Sequence, residues 1–322
     1  MKAPGFTQWL AHLPTLNQVQ RLQVLRALQP AVGLEQVVAL IGRLRAEDRR
    51  CPRCNGPRWH RHGCANDLPR YRCRDCGRTY NDLSGTALAR LRLRGKWLTY
   101  LDTVLASRPV RGAADELGVH RNTAFRWRHR FLHKVKDDKP RQLTGIVEAD
   151  ELFMLESQKG SRTLARPARK RGGRASRRGI SRELDCILVA RDRSGQTIDA
   201  VTGRGPLTAE QAERHLLPVL DPHALLVTDS QAAYHAFARK HRIAHQTVNL
   251  RRGVRVRASA AGAIHVQNVN AYHRRWREWI VRFHGVASRY LPNYLGWRRA
   301  LDGARITSSD QLLGLAIKPF NS

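Results

Sequence analysis

The sequence predicts an α/β chain in which a domain of alternating strands and helices follows three smaller modules. Three observations predict it. Beyond residue 140, apolar strand-like runs alternate with segments of helical period. Residues 51–76 hold two C-x-x-C pairs in a stretch too poor in apolar residues to fold unaided. Residues 110–133 read as two short helices about a glycine. The expected boundaries are 1–48 (helical region), 49–88 (metal-stapled ribbon), 89–137 (helix-turn-helix) and 141–322 (α/β domain with a basic insertion at 159–182).

Charge limits the function before any motif does. The 322 residues carry 58 Lys and Arg against 26 Asp and Glu, a formal charge of +32. Such a field attracts polyanions, nucleic acid first. A membrane surface is the competitor, but no apolar run approaches the ~20 residues that span a bilayer. The opening "MKAPGFTQWLAHLP" lacks the apolar core of a secretory signal. The expectation is a cytoplasmic, nucleoid-associated protein without a membrane partner.

Residues 1–48 read as helical, with Leu16, Val19, Leu22, Leu25 and Leu28 at spacings of three. A break at Pro30 is expected before "GLEQVVALIGRLRAED", and the region is expected to pack on a neighbour. Next, Cys51/Cys54 and Cys73/Cys76 enclose 18 residues, the spacing of a structural four-thiolate zinc site. Gly56, behind Asn55, and Gly77 are expected to turn the backbone behind the sulfurs. Cys64, His60 and His62 are possible substitute ligands, more simply read as loop residues.

In "VRGAADELGVHRNTAFRWRHRFLH", Ala113, Ala114, Leu117 and Val119 form the packed face and Gly118 the turn. The second helix continues the stripe through Ala124, Trp127 and Phe131. It presents Arg121, Asn122, Arg126 and Arg130 for bases or phosphates. His120 stands where Ser or Thr would cap the helix better. "KDDKP" (136–140) reads as a linker.

"TGIVEADELFML" then reads as a strand. The insertion 159–182 has ten Lys and Arg and no acid. "ELDCILVARDRSGQTIDAVT" reads as a hairpin turning at 193–195, with Cys186 in the core. A capping box, Thr208 to Gln211, opens a helix. A strand "HALLVTDS", a helix, a strand "IAHQTVNL" and a long helix complete a β-β-β-α-β-α-β-α order, that of a ribonuclease-H-like domain.

Phosphoryl transfer on DNA commonly uses two Mg²⁺ about 3.5–4 Å apart, held by carboxylate oxygens on rigid elements. In this order Asp150 lies on the first strand and Asp229 ends the fourth, its neighbour at the sheet centre. Asp229 also reads as a helix cap, and Asp150 as a solvated edge charge. Strand alternation puts Glu148 and Asp150 on one face and Glu151 on the other.

Taken in order, the ribbon, the helix-turn-helix, "VEADE", "VTDS..AY" and "IHVQNVNAYHRRW" resemble insertion-sequence transposases with a DDE-type catalytic domain, over about residues 15–300. The resemblance implies Asp150 and Asp229 as the first two catalytic, Mg²⁺- or Mn²⁺-binding acids. Asn270 stands where the third, commonly Glu, would be, which gives a D-D-N site. An amide oxygen can bind Mg²⁺ but carries no charge. Glu278, rotated ~80° from Asn270, is a reserve ligand. Arg277 matches a basic position in relatives and would hold phosphate. His265 and His273 are near enough to meet substrate.

The implied function is transposition: binding the element's terminal inverted repeats, hydrolysing the end phosphodiester and attacking target DNA with the freed 3′-OH. Lys170 and Arg171 of the insertion, with Arg251, Arg252, Arg255 and Arg257, would hold backbone, and pairing two ends implies a homodimer or more. A catalytically degenerate DNA-binding protein, favoured by the missing third acid, and a structure-selective nuclease are the alternatives.

Overall fold

The computed structural model describes residues 3–170, 173–248, 256–259 and 262–320. The chain divides into two compact units: Met1–Ala124 with Ser308–Ser322, and Phe125–Thr307. The C-terminal residues therefore group with the first unit, away from the α/β domain to which the sequence assigned them. They do so because Leu312, Leu313 and Ala316 bury their side chains in that unit.

The first unit opens with α1 (Ala3–His12) and α2 (Gln18–Arg45), the latter capped reciprocally by Asn17 and Gln20. Here the expected break fails, since α2 runs through Pro30 as one helix of 28 residues. Proline's fixed φ suits a helix, and the penalty falls on one hydrogen bond and a local clash. The predicted leucine stripe is not its buried face. Val19 and Leu25 are 65% and 62% exposed, while Val37, Leu40 and Ile41 are buried.

A three-stranded antiparallel sheet follows, β1 (Trp59–Ala65), β2 (Leu68–Cys73) and β3 (Thr79–Tyr80), in that order. Next come α3 (Trp97–Leu105) and α4 (Val110–Leu117), then α5 (Arg121–Phe131), along which the chain passes from the first unit to the second after Ala124. Gly118 ends α4 at φ 59°, which glycine adopts without steric cost. The anomalous His120 proves to be the cap: its Nδ1 accepts from the Asn122 N–H at 3.2 Å. An imidazole nitrogen supplies the lone pair that a Ser or Thr hydroxyl would. The helix α10 (Ser309–Ala316) completes this unit.

The second unit centres on a five-stranded sheet ordered β6-β5-β4-β7-β8. Its strands are β4 (Ile146–Leu155), β5 (Leu184–Asp192), β6 (Thr197–Arg204), β7 (Leu225–Thr228) and β8 (His245–Thr247). The first three are antiparallel, and β7 runs parallel to both β4 and β8. The helices α6 (Ala209–Leu216), with the expected capping box, and α7 (Ala232–His241) cover one face. There Val147, Ala149, Cys186 and Leu188 pack with Leu216, Tyr234 and Phe237. Cys186 is core, as expected.

A small hairpin, β9 (Arg257–Ser259) and β10 (Gly262–Ile264), leads to α8 (Gln267–Ile280) and then α9 (Leu291–Asp302). These helices cover the other face. Buried Asp199 on β6 accepts from the Tyr272 hydroxyl at 3.1 Å and pairs with Arg299. Trp276, Trp279, Phe283, Tyr294 and Trp297 interlock edge to face and at tilted angles. Each such ring buries on the order of 200 Å² of surface, so this cluster is the main hydrophobic clamp on α8.

Candidate functional site

Two clusters have the chemistry of a site, one in each unit. In the first, four thiols meet. Their sulfurs lie within 4.8 Å of one another, with Cys51–Cys76 and Cys54–Cys73 both at 3.6 Å. A tetrahedron of Zn–S bonds of about 2.3 Å has edges of about 3.8 Å, so the donor set fits Zn²⁺. Both knuckles use the same backbone bonds. Asn55 N donates to Cys51 O at 2.8 Å and Gly77 N to Cys73 O at 3.1 Å. One detail differs from expectation. The left-handed residue of the first knuckle is Asn55, at φ 56°, while at Gly56 a Cβ would lie 2.2 Å from Asp75 Oδ2, so that a larger residue would displace the Asp75 side chain. Cys64, His60 and His62 are exposed on or near β1, outside the cluster.

The second cluster is built on β4. Parallel pairing sets Ile146 against Leu225, Val147 against Leu226 and Glu148 against Val227. Two further steps along that register bring Asp150 level with Asp229, which follows the last residue of β7. Adjacent strands lie about 4.8 Å apart, so the two carboxylates are neighbours. Burial, with Asp229 beside it, pushes the Asp150 carboxyl up to about 6, partly offset by Arg277. Each acid also has one local bond: Glu151 N donates to Asp150 Oδ1 and Gln231 N to Asp229 Oδ1, both at 2.9 Å. The second is the helix-start turn that the sequence also allowed for Asp229, so that side chain caps and faces the site together.

The predicted alternation holds. Glu151 lies on the α6–α7 face, half-buried, where burial and the nearby Asp150 and Asp229 push its carboxyl up to about 8. The Gln231 side-chain amide, oriented to donate, reaches both Glu151 oxygens at 2.8 and 2.9 Å. Gln231 thus ties the Asp229 turn to β4 through its backbone and side chain alike, a role that no local sequence pattern signals.

Glu148 was the least-weighted acid in the sequence and is the most deeply engaged. Fully buried, it accepts from the backbone N–H groups of Asn268 (2.7 Å) and Val269 (3.0 Å) and pairs with Arg193 at 3.0 Å. Gln267 N donates to His265 Nδ1. So none of Gln267, Asn268 and Asn270 caps α8 with its side chain. A carboxylate 120 residues away does, complementing the helix dipole.

That anchor holds α8 along the Asp150 face. His273 is buried with Nδ1 3.7 Å from Asp150 Oδ2. Burial and Arg277 push its pKa down to about 4, so the ring is neutral and the contact is not an ion pair. Asn270 and Arg277, three before and four after His273, are exposed on the same side of the helix. Glu278 is not brought to the cluster: it is exposed and bonded to Arg274 at 2.8 Å. Among the described residues, the cysteines are the only group of three or more His, Cys, Asp or Glu close enough to share an ion. Asp150 and Asp229 are the acids that an ion there would meet. The donor chemistry fits a hard divalent cation, whose charge would offset the repulsion that burial leaves between the acids.

Of the expected DNA contacts, Arg121, Asn122, Arg126, Lys170 and Arg257 are exposed and Arg130 is half-buried. Arg171, Arg251, Arg252 and Arg255 lie outside the described residues. The insertion is less free than its charge suggested. Arg166 and Arg169 both pair with buried Glu156, Arg169 also with Glu183, and Lys159 donates to the His284 and Gly285 carbonyls.

Residues 142–298 match the ISXO2-like transposase domain, and residues 88–135 a homeodomain-like domain. The chain is similar to a protein of Halobacterium salinarum described as an uncharacterized protein in transposable element ISH50. The two are 28% identical over 249 residues, covering 76% of this chain and 82% of that one. Among solved structures it is similar to a chain of a pre-cleavage Mos1 transpososome, at 13% identity over 63% of this chain and 78% of that one, with a TM-score of 0.18. A chain of the Mos1 strand transfer complex gives 14%, 64%, 75% and 0.20. Among the described residues, no helix is long and apolar enough to cross a membrane.

Proposed function

We propose that this chain, which belongs to the insertion-sequence transposases, binds its element's terminal inverted repeats and cuts and rejoins DNA there through a D-D-N site. The matched domains support DNA binding and transposition. The observation that carries the catalytic reading is the register that levels Asp150 with Asp229 beside a helix anchored by Glu148.

In this reading residues 141–307 form a ribonuclease-H-like catalytic domain, 49–88 a zinc ribbon and 89–137 a helix-turn-helix. Zinc holds the ribbon's fold and takes no part in chemistry, as closed four-thiolate sites do. Asp150, Asp229 and the Asn270 amide hold Mg²⁺ or Mn²⁺, which when bound supplies charge stabilisation at the reacting phosphate. The chain's own groups do the rest. His273, neutral at pH 7, packs behind Asp150 and restricts its rotamer. Arg277 on the exposed side of α8 holds a DNA phosphate. Arg121, Asn122, Arg126 and Arg130 contact the element end, and Lys170 and Arg171 the backbone. Two ends must be held together, so the working form is a dimer or larger in the nucleoid-containing compartment.

The test is a nicking and strand-transfer assay on terminal-repeat DNA with Mg²⁺ or Mn²⁺. Loss of both activities in Asp150→Ala and in Asp229→Ala is expected, and retention in either removes the mechanism. One observation favours a second reading. Asn270 is neutral and exposed, as it would be in a binding protein whose catalytic domain has decayed. That reading requires tight binding to the repeats with no cleavage even in Mn²⁺.

A further inference from the structure

The first unit contains an open cleft of about 720 Å³ beside the four cysteines. One wall is the first knuckle, the other Arg78, β3 and the segment that follows it to residue 90. Three arginines line it: Arg53, between Cys51 and Cys54, then Arg78 and Arg90. No acidic residue lines it, and among the described residues none of the three guanidinium groups has a carboxylate or hydrogen-bond partner. Neighbouring arginines are spent otherwise: Arg49 on Asp82 and Arg58 on Asp75.

The cleft is preformed. Gly85, at φ 74°, lies so close to Pro52 that a Cβ would come within 2.8 Å of the proline ring, pinning the later segment against the knuckle. Arg90 holds a left-handed backbone (φ 62°), which an L side chain adopts only at a cost of about 1 kcal/mol or more. Tyr80 also lines the cleft. It is 6% exposed, and its buried hydroxyl has no hydrogen-bond partner.

We propose that this cleft is a phosphate-backbone site: Arg53, Arg78 and Arg90 grip consecutive phosphodiesters of duplex DNA, independently of sequence. Three arginines without carboxylate partners line one concave wall, a concentration of positive charge that an anion would stabilise. Guanidinium groups suit phosphate oxygens through paired N–H donors. The chain's surplus of positive charge and the homeodomain-like match that begins at residue 88, where the cleft's last segment ends, point to DNA as that anion. The proposal rests only on the DNA-binding part of the proposed function, and needs neither the repeats nor catalysis.

The experiment measures binding of the full zinc-loaded chain to a 25-base-pair duplex of arbitrary sequence between about 50 and 200 mM salt. Each neutralised phosphate contributes about 0.9 to the slope of log affinity against log salt. Replacing Arg53, Arg78 and Arg90 together by Ala should lower the slope by about 2.7, so that the native chain's fourfold salt loss exceeds the variant's by about 40-fold. The triple Lys variant should keep most of the slope, and both should retain one zinc. An unchanged slope in the Ala variant overturns the proposal. So does a Lys variant that loses slope and zinc together, which would make the arginines partners of the thiolates. If dAMP binds in an arginine-dependent way while the duplex slope stays the same, the cleft is a nucleotide pocket and the proposal is again wrong. A native chain with full slope that cuts no terminal repeat would sink the catalytic reading and leave this one standing.

Discussion

The cysteine cluster and the carboxylate cluster both gather donor atoms suited to a cation, and they are assembled in opposite ways. The cysteines come from 26 residues of chain, and their knuckles repeat the same local backbone bonds. The carboxylates come from strands separated by about half the α/β unit, joined by parallel pairing, with a helix fixed by a buried acid 120 residues away. The first cluster holds its fold together. In the second, the fold holds acids together against their own repulsion. Stability and activity should therefore respond oppositely at the two places.

The largest effect should be zinc removal. With so little apolar core in the ribbon, binding energy on the order of 10 kcal/mol is folding energy. Cys73→Ser or a strong chelator should unfold residues 49–88, seen as loss of about one zinc per chain and new protease cuts there. A zinc-free chain resistant at those sites would break the contrast.

Next in size is Asp150→Asn. In the proposed mechanism, removing this acid should cost several kcal/mol of transition-state stabilisation, about 10³-fold in nicking, while the metal-free protein melts no lower than the parent. The sign follows from the pKa directions. The folded-state values of Asp150 (about 6) and Glu151 (about 8) lie above 3.8 and 4.5. Their protonation stabilises the fold in acid, and that contribution is lost as pH rises through about 6 and then 8. Melting of the metal-free chain from pH 4 to 9 should show this decline, Asp150→Asn should remove its lower part, and Mg²⁺ should restore stability at pH 7. A melting temperature flat across that range would contradict the buried-charge account.

Glu148→Ala tests whether the helix anchor is separate from the acids. It leaves two backbone N–H groups without their acceptor and Arg193 without its carboxylate, at a cost of about 2–3 kcal/mol, and should reduce nicking by loosening α8. Glu148→Gln, which keeps an oxygen acceptor, should recover most of the stability. Equal losses in both variants would mean that charge, not the cap, is what matters. His120→Ala should be milder, about 1 kcal/mol, and His120→Ser close to neutral, because only a local cap is exchanged.

Smallest of all should be Glu278→Gln. The exposed pair with Arg274 makes no contact with the cluster, so nicking should not change, whereas Asn270→Ala should lower it, by less than Asp150→Asn does. The reverse result would make Glu278 the third ligand.

Much of this was readable in the sequence, and the failures share a cause. The strand and helix order, the capping box at Thr208, the alternation of Glu148, Asp150 and Glu151, and the cysteine set all follow from periods of two or 3.6 or from short spacing. The leucine stripe at 19–28 misled because periodicity reports a possible apolar face and does not say what covers it. Pro30 misled because a single proline weakens a long helix without always ending it. The arginines of the insertion at 159–182 read as DNA contacts because Glu156, the partner of Arg166 and Arg169, stands just before it, at the end of β4, and no periodic pattern signals that the insertion folds back on that acid.

By itself, then, the sequence outlined most of the elements and the local thiolate set, because each depends on near neighbours in the chain. Only the tertiary structure decided that Glu148 caps α8, that Gln231 ties Asp229 to Glu151, that Glu278 turns outward and that residues 308–322 join the first unit. Those outcomes depend on which distant groups meet once strands pair and rings pack. A hydrogen bond 120 residues long leaves no periodic trace in the chain that makes it.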